Sequence, residues 1–117
     1  LNEIEGAALS GAEDTEGMAE RLAEHFPGAK IVLTLGGDGS VCAHDGRIER
    51  QNAYTVRAVD TTAAGDTFTG FFFAAISRGE AIARALKIAS RAAAISVTRP
   101  GAAASIPALN EVLAVLD

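Results

Sequence analysis

An acid, two hydroxyls and three small residues run together at Asp60-Thr61-Thr62-Ala63-Ala64-Gly65, and a second acid, Asp66, follows just before an apolar run of helical length, Phe68 to Ile76. The order reads as a strand, a tight turn and a helix start. A helix start leaves backbone N–H groups without intrahelical acceptors and carries the positive end of the helix dipole, so it draws anions. Ala63, Ala64 and Gly65 have no side chain long enough to cover those groups. A carboxylate at such a place repels the anion unless it has chemical work to do. Asp66 beside bare amides is the pairing that phosphoryl transfer to a hydroxyl requires: the carboxylate takes the proton while the N–H groups hold the developing charge. The plainer alternative makes Asp66 an N-cap and Gly65 a turn residue. The second acid at Asp60, and the bare residues between the two acids, count against it.

Elements on both sides must hold that turn. Residues 1 to 10 read as a short helix stopped at Gly11, with Asn2 and Glu5 three apart on one face, as an N-cap and a first-turn acid would be. Asp14 to Phe26 recurs at helical spacing through Met18, Ala19, Leu22, Ala23 and Phe26, with His25 in the last turn, and Pro27-Gly28 ends it. Lys30 to Leu35 is a short β-branched run of the kind buried on both faces of a parallel sheet, so helix and strand together read as an α/β crossover. Gly36-Gly37-Asp38-Gly39 then lies at the carboxyl end of a strand, where ligands of open α/β sheets sit, though three glycines in four residues also suit a hairpin turn.

Ser40 to His44 and Arg47 to Asn52 read as a hairpin turning at Asp45-Gly46, and Tyr54 to Val59 alternates as a strand leading into Asp60. Beyond the Asp66 helix, Arg78-Gly79-Glu80 marks a turn. Ala81 to Ser96 forms an alanine-rich helix whose face Ala85, Ile88, Ala89, Ala92 and Ala93 permits close approach. The loop from Ser96 to Pro107 contains a Pro-Gly turn with small neighbours, which exposes carbonyl oxygens suited to a hard cation. Ala108 to Leu116 closes the sequence as an amphipathic helix.

Composition narrows the classes. At 117 residues with 49% hydrophobic and 21% charged residues, the sequence fits one globular domain and neither a disordered nor a membrane-spanning chain. Its longest apolar run, Phe71 to Ile76, is far short of the roughly 20 residues that cross a bilayer. The net charge of −5 argues against nucleic acid as a partner. Cys42 is the only cysteine, which excludes an internal disulfide, suits a reducing cytoplasm and reads as a small apolar strand residue. No signal peptide is visible, although the sequence opens at Leu1 without a Met.

The run DTTAAGDTFTG, residues 60 to 70, resembles the signature of the ribokinase family of sugar kinases, PfkB type. The loop from Ser96 to Pro107 is similar to that family's V-T-R-x-G-A-x-x-S-x-P segment. The resemblance implies a ribokinase-like three-layer α/β/α fold with parallel strands and a β-hairpin. It makes Asp66 the base that activates a sugar hydroxyl, and Ala63, Ala64 and Gly65 with the Asp66 amide the anion hole. Asn2 and Glu5 match an N-x-x-E motif that helps hold phosphate and magnesium. Thr34, Gly36 and Gly39 match a T-L-G-x-x-G segment lying against ATP. Ser90 falls where the family's helix passes the adenine pocket. Asp60 and Thr62, with Ser96, Arg99, Gly101 and Ser105, correspond to residues enclosing a monovalent cation, usually potassium, largely through backbone oxygens.

The resemblance spans all 117 residues but only the C-terminal portion of the family's chain, so the N-terminal sheet, the lid and most of the sugar grip are expected to be absent. The implied activity is ATP-dependent phosphorylation of a sugar hydroxyl, ribose to ribose 5-phosphate, with ATP, Mg2+ and K+. The protein is expected in the cytoplasm, with neither nucleic acid nor membrane as partner and with a homodimer formed through the absent lid. The isolated portion is expected to be inactive or nearly so, since a base without an oriented hydroxyl forfeits the positioning contribution. Kinases of the same family acting on fructose, 2-keto-3-deoxygluconate or a nucleoside remain alternatives, as does a nucleotide-binding module that performs no transfer.

Overall fold

The structure is a computed structural model and describes residues 15–26, 28–101 and 105–116. The chain divides into two compact units, Leu1–Asn52 and Ala53–Asp117. The expected helix over residues 1 to 10 lies outside the described residues.

In the first unit, helix α1 (Thr15–His25) lays Met18, Ala19 and Leu22 onto a three-stranded sheet. Strands β1 (Ile31–Thr34), β2 (Ser40–His44) and β3 (Arg47–Gln51) are ordered β1-β2-β3. Ile31 and Leu33 of β1, with Val41 and Ala43 of β2, face the helix and close the core. Phe26 was expected on the apolar stripe of α1. It is 54% exposed instead, because the helix ends one residue earlier and Phe26 leaves the helical period.

Two expectations for β1 are corrected. Its partner is β2, paired antiparallel, with Ile31 opposite Ala43 and Thr34 opposite Ser40. Only alternate residues of β1 are fully buried. The cause is the connection: five residues join β1 to β2, and so short a link reverses the chain where a parallel neighbour needs a long crossover. The strand with both faces covered is β2, the middle one. The hairpin from β2 to β3 turns where expected. Asp45 and Gly46 have φ of 46° and 75°, the left-handed pair that a two-residue turn between twisted strands demands.

Cys42 lies on the β2 face away from α1 and is fully buried. Burial, aided by the nearby Glu49 carboxylate, pushes its thiol from 9.0 up to about 11. At pH 8 that leaves roughly a hundredth of the usual thiolate, the form that reacts with alkylating agents. Iodoacetamide is therefore expected to label the folded chain at least about 100-fold more slowly than the urea-unfolded chain. Equal rates would show β2 open to solvent.

In the second unit, helices α2 (Ala64–Ser77) and α3 (Ile82–Val97) pack on each other across a turn at Gly79, whose φ is 84°. Phe68, Phe72 and Ala75 of α2 are buried, as are Ala85, Leu86, Ile88, Ala89 and Ala92 of α3. The α3 face is thus the expected one extended by Leu86, with Ala93 only half-buried. Helix α4 (Leu109–Ala114) contacts α3 and buries Val112.

The segment Tyr54 to Val59 departs from expectation. It is not a strand, and no ladder partner for it occurs among the described residues. Alternation supplies a face but not the neighbour that a strand requires, and Val59 is 63% exposed. Contacts with distant parts of the second unit hold its first residue instead. The Tyr54 hydroxyl donates to the Leu116 carbonyl at 2.7 Å, and the Arg91 guanidinium stands 4.6 Å above the Tyr54 ring.

Candidate active site

Ala63 is the N-cap of α2, and no side chain caps the helix. The Ala64 amide donates to the Thr61 carbonyl at 3.2 Å and the Thr67 amide to the Ala63 carbonyl at 2.9 Å. Between them, the amides of Gly65 and Asp66 find no acceptor among the described residues. A Cβ built on Gly65 meets nothing within 4 Å. Two adjacent N–H groups at the positive end of a fourteen-residue helix thus lie beside open space.

Asp66 is the third residue of the helix and is exposed. It is not the N-cap, so the plainer alternative for this acid fails: capping falls to Ala63, which has no side-chain acceptor. Of the four amides expected to form the anion hole, those of Ala63, Gly65 and Asp66 find no acceptor among the described residues and that of Ala64 is engaged by Thr61. Thr67, one residue on, is buried, and its hydroxyl has no hydrogen-bond partner among the described residues. Nothing in its spacing set Thr67 apart from any other threonine near a helix start.

Asp60 is tied at three points. Its Oδ1 accepts the Thr62 amide at 2.9 Å and the Thr62 hydroxyl at 2.5 Å, while its Oδ2 accepts the Gly101 amide at 3.3 Å. Its own amide donates to the Val97 carbonyl at 3.0 Å, which also accepts Val59 at 2.6 Å. The Thr62 hydroxyl, then the Thr62 and Gly101 amides, hold the Asp60 carboxyl below the usual carboxylate range.

Three expected cation ligands, Asp60, Thr62 and Gly101, are therefore gathered. Ser96 is not part of that cluster of contacts. Its hydroxyl donates to the Ala93 carbonyl at 2.8 Å within α3, and its carbonyl accepts the Arg99 amide at 3.2 Å just past the helix end. The Arg99 side chain reaches Glu111 at 2.5 Å. Ser105 is buried.

Glu111 went unnoticed in the sequence. Besides Arg99, its carboxylate accepts the Ala108 amide at 3.1 Å, closing the start of α4, and these two contacts hold its carboxyl low. The available signal was an acid three residues after a helix boundary and twelve after an arginine.

Ser90 is buried on α3. Thr34, Gly36 and Gly39 belong to the first unit. There Gly36–Asp38 forms one 3-10 turn, with φ of 58° at Gly36 and 97° at Gly39. The Gly39 amide donates to the Gly36 carbonyl at 3.2 Å, and Leu35 donates to the Gly39 carbonyl at 2.8 Å, so the glycine run forms the turn that joins β1 to β2. Asn2 and Glu5 lie outside the described residues.

A model described as pfkB family carbohydrate kinase matches residues 1–109. Ribokinase from Haemophilus influenzae is 38% identical over 120 residues, covering 99% of this chain and 39% of that protein. Among solved structures, ribokinase from Thermotoga maritima has a TM-score of 0.87 at 42% identity, covering 97% of this chain and 39% of that one. Arabidopsis thaliana ribokinase complexed with ribose and ATP has a TM-score of 0.88 at 34% identity, with 98% and 39% covered. The chain thus spans about two fifths of the length of each of these proteins. The fold expected from the sequence, a part of the ribokinase-like α/β architecture, is the one these structures share with it.

Proposed function

The chain belongs to the pfkB family of carbohydrate kinases, and from that premise we propose that it supplies the anion hole, the catalytic base and part of the ATP site for phosphorylation of a sugar hydroxyl. The observation that carries this reading is the exposed Asp66 carboxylate in the first turn of an uncapped helix whose Gly65 and Asp66 amides are open.

The chemistry follows from that arrangement. Asp66 takes the proton of the sugar's primary hydroxyl as the oxygen forms a bond to the γ-phosphorus of ATP. The bond from that phosphorus to the β–γ bridging oxygen breaks, and its electron pair leaves on ADP. Charge on the transferring phosphoryl oxygens is met by the Gly65 and Asp66 amides, which need no reorganisation as the reaction proceeds.

Among the described residues no group of three or more His, Cys, Asp or Glu side chains gathers as a metal site. Magnesium is proposed to arrive on the nucleotide, since Mg2+ binds through substrate phosphates and one or two carboxylates, with Glu5 the residue proposed for it here. When bound, it would neutralise phosphate charge. Asn2, Thr34, Gly36, Gly39 and Ser90 are proposed for nucleotide contact. K+ is assigned to the loop of Asp60, Thr62, Ser96, Arg99, Gly101 and Ser105. Because Asp60's carboxylate already accepts three donors, backbone carbonyls are the oxygens better placed to hold it.

Ribose is the sugar we infer, supported by ribokinase relatives and by the ribose and ATP held by the Arabidopsis protein. Residues 1–117 are read as the C-terminal, base-bearing portion of such a kinase. The sugar grip, and a homodimer contact through a lid, are assigned to the length of the relatives that this chain does not span. A cytoplasmic location accords with the single buried thiol.

A coupled ADP-release assay over a sugar panel tests the reading. The chain is fused to the portion of the Haemophilus protein that it does not span. The fusion is expected to turn over ribose with kcat/KM at least about tenfold above fructose or 2-keto-3-deoxygluconate, a margin within the reach of pocket contacts. The 117-residue chain alone is expected to give no turnover. Release of ADP independent of any sugar would contradict the assignment.

A further inference from the structure

We propose that Glu111, acting through Arg99, is a positioning residue for the Asp60 clasp and thereby for the turn that sets Asp66 in place. The functional meaning of this rests on the kinase reading, while the contacts themselves do not.

An unbroken path joins the two ends. Glu111 Oε1 accepts the Ala108 amide at 3.1 Å, which fixes the carboxylate to the start of α4, and Oε2 accepts Arg99 Nη2 at 2.5 Å. Arg99 stands two residues before Gly101, whose amide donates to Asp60 Oδ2 at 3.3 Å. Asp60 Oδ1 accepts the amide and hydroxyl of Thr62. Between those residues, the Thr61 carbonyl accepts the Ala64 amide that opens α2. Position is thus passed from α4 to the 99–101 loop, then to Asp60, then to the helix start that carries Asp66.

The Gly101 contact is the weak link. At 3.3 Å it is near the end of the useful range for an N–H to oxygen bond, so a small displacement of the loop forfeits it. Gly101 also holds a φ of 86°, a conformation the loop must keep for its amide to face Asp60. An exposed ion pair adds little to global stability, so the value of Arg99–Glu111 lies in where it keeps that loop. The molecule carries its own comparison. Glu80 and Arg84 form an ion pair of the same kind at 2.6 Å, but it ties the turn before α3 to that helix's first turn.

Amide hydrogen exchange, followed by 15N-resolved NMR on the 117-residue chain at fixed pH, tests the proposal. E111Q and R99Q break the pair from opposite ends, and E80Q is the control. Exchange at the Gly101 and Thr62 amides is expected to quicken roughly five- to tenfold in E111Q and R99Q, the loss of about one hydrogen bond. The same variants are expected to leave the global melting temperature unchanged, and E80Q to leave both amides unchanged. Unchanged exchange at Gly101 in E111Q and R99Q, or an equal change in E80Q, would overturn the proposal. The measurement uses neither nucleotide nor turnover, so failure of the kinase reading would leave its outcome unaffected.

Discussion

Asp66→Asn, in the chain fused to the part of its Haemophilus relative that it does not span, is expected to lower kcat by about 10²- to 10⁴-fold, the range for losing a general base. The substitution keeps the size of the side chain and its place in the first helical turn, and it removes the negative charge and with it the capacity to accept a proton. Asp66 is exposed, so nothing in the fold depends on its charge beyond its favourable position at the helix N-terminus. ATP affinity is therefore expected to stay within a few-fold of wild type, and removing a negative charge beside the anion hole should, if anything, raise it. Steady-state kinetics with a separate measurement of ATP binding checks both halves. Turnover close to wild type would remove Asp66 from the chemistry.

Gly65→Ala is expected to separate stability from function. Gly65 is absent from the positive-φ residues, and a Cβ there meets nothing within 4 Å, so alanine fits the helix without strain. Restricting the unfolded chain should then stabilise the protein by about 0.4–1 kcal/mol, read as a higher urea midpoint. A helical Cβ leans toward the N-terminus, which here is the space above the open amides. The added methyl would displace the anion that those amides are arranged to meet. Turnover of the fusion is expected to fall by about 10²- to 10³-fold, as when an oxyanion-hole donor is lost. A variant that is more stable and fully active would mean that no anion sits there.

These two residues also show how much of the molecule was legible in the sequence. Where chemistry is local, the reading held. Asp45-Gly46 turned the hairpin because few residues tolerate that backbone, and the apolar recurrence at Met18, Ala19 and Leu22 placed α1 on the sheet. A helix around the apolar run Phe68 to Ile76 was legible as well, although its start at Ala64, which puts Asp66 in the third helical position, came from the structure. Non-local features were less accessible. Tyr54 to Val59 has the alternation of a strand, but pairing depends on a neighbour that alternation cannot specify. The antiparallel setting of β1 was decided by the short link to β2 rather than by its own residues. Glu111 lies twelve residues from Arg99, and only folding brings the two within 2.5 Å. Ser96, expected in a loop, lies in the last turn of α3 with its hydroxyl on the Ala93 carbonyl, which helical capping rather than composition decides.

The central claim is that the open amides at the start of α2 and the Asp66 carboxylate serve one reacting phosphoryl group. The most direct test is a crystal structure of the fusion with ADP, magnesium, ribose and aluminium fluoride, a mimic of the phosphoryl group in flight. The expected result has the fluorides within about 3 Å of the Gly65 and Asp66 amides and the Asp66 carboxylate within hydrogen-bond reach of the ribose hydroxyl that faces the metal fluoride. A mimic bound away from those amides, or an Asp66 side chain folded back onto its own helix, would contradict it.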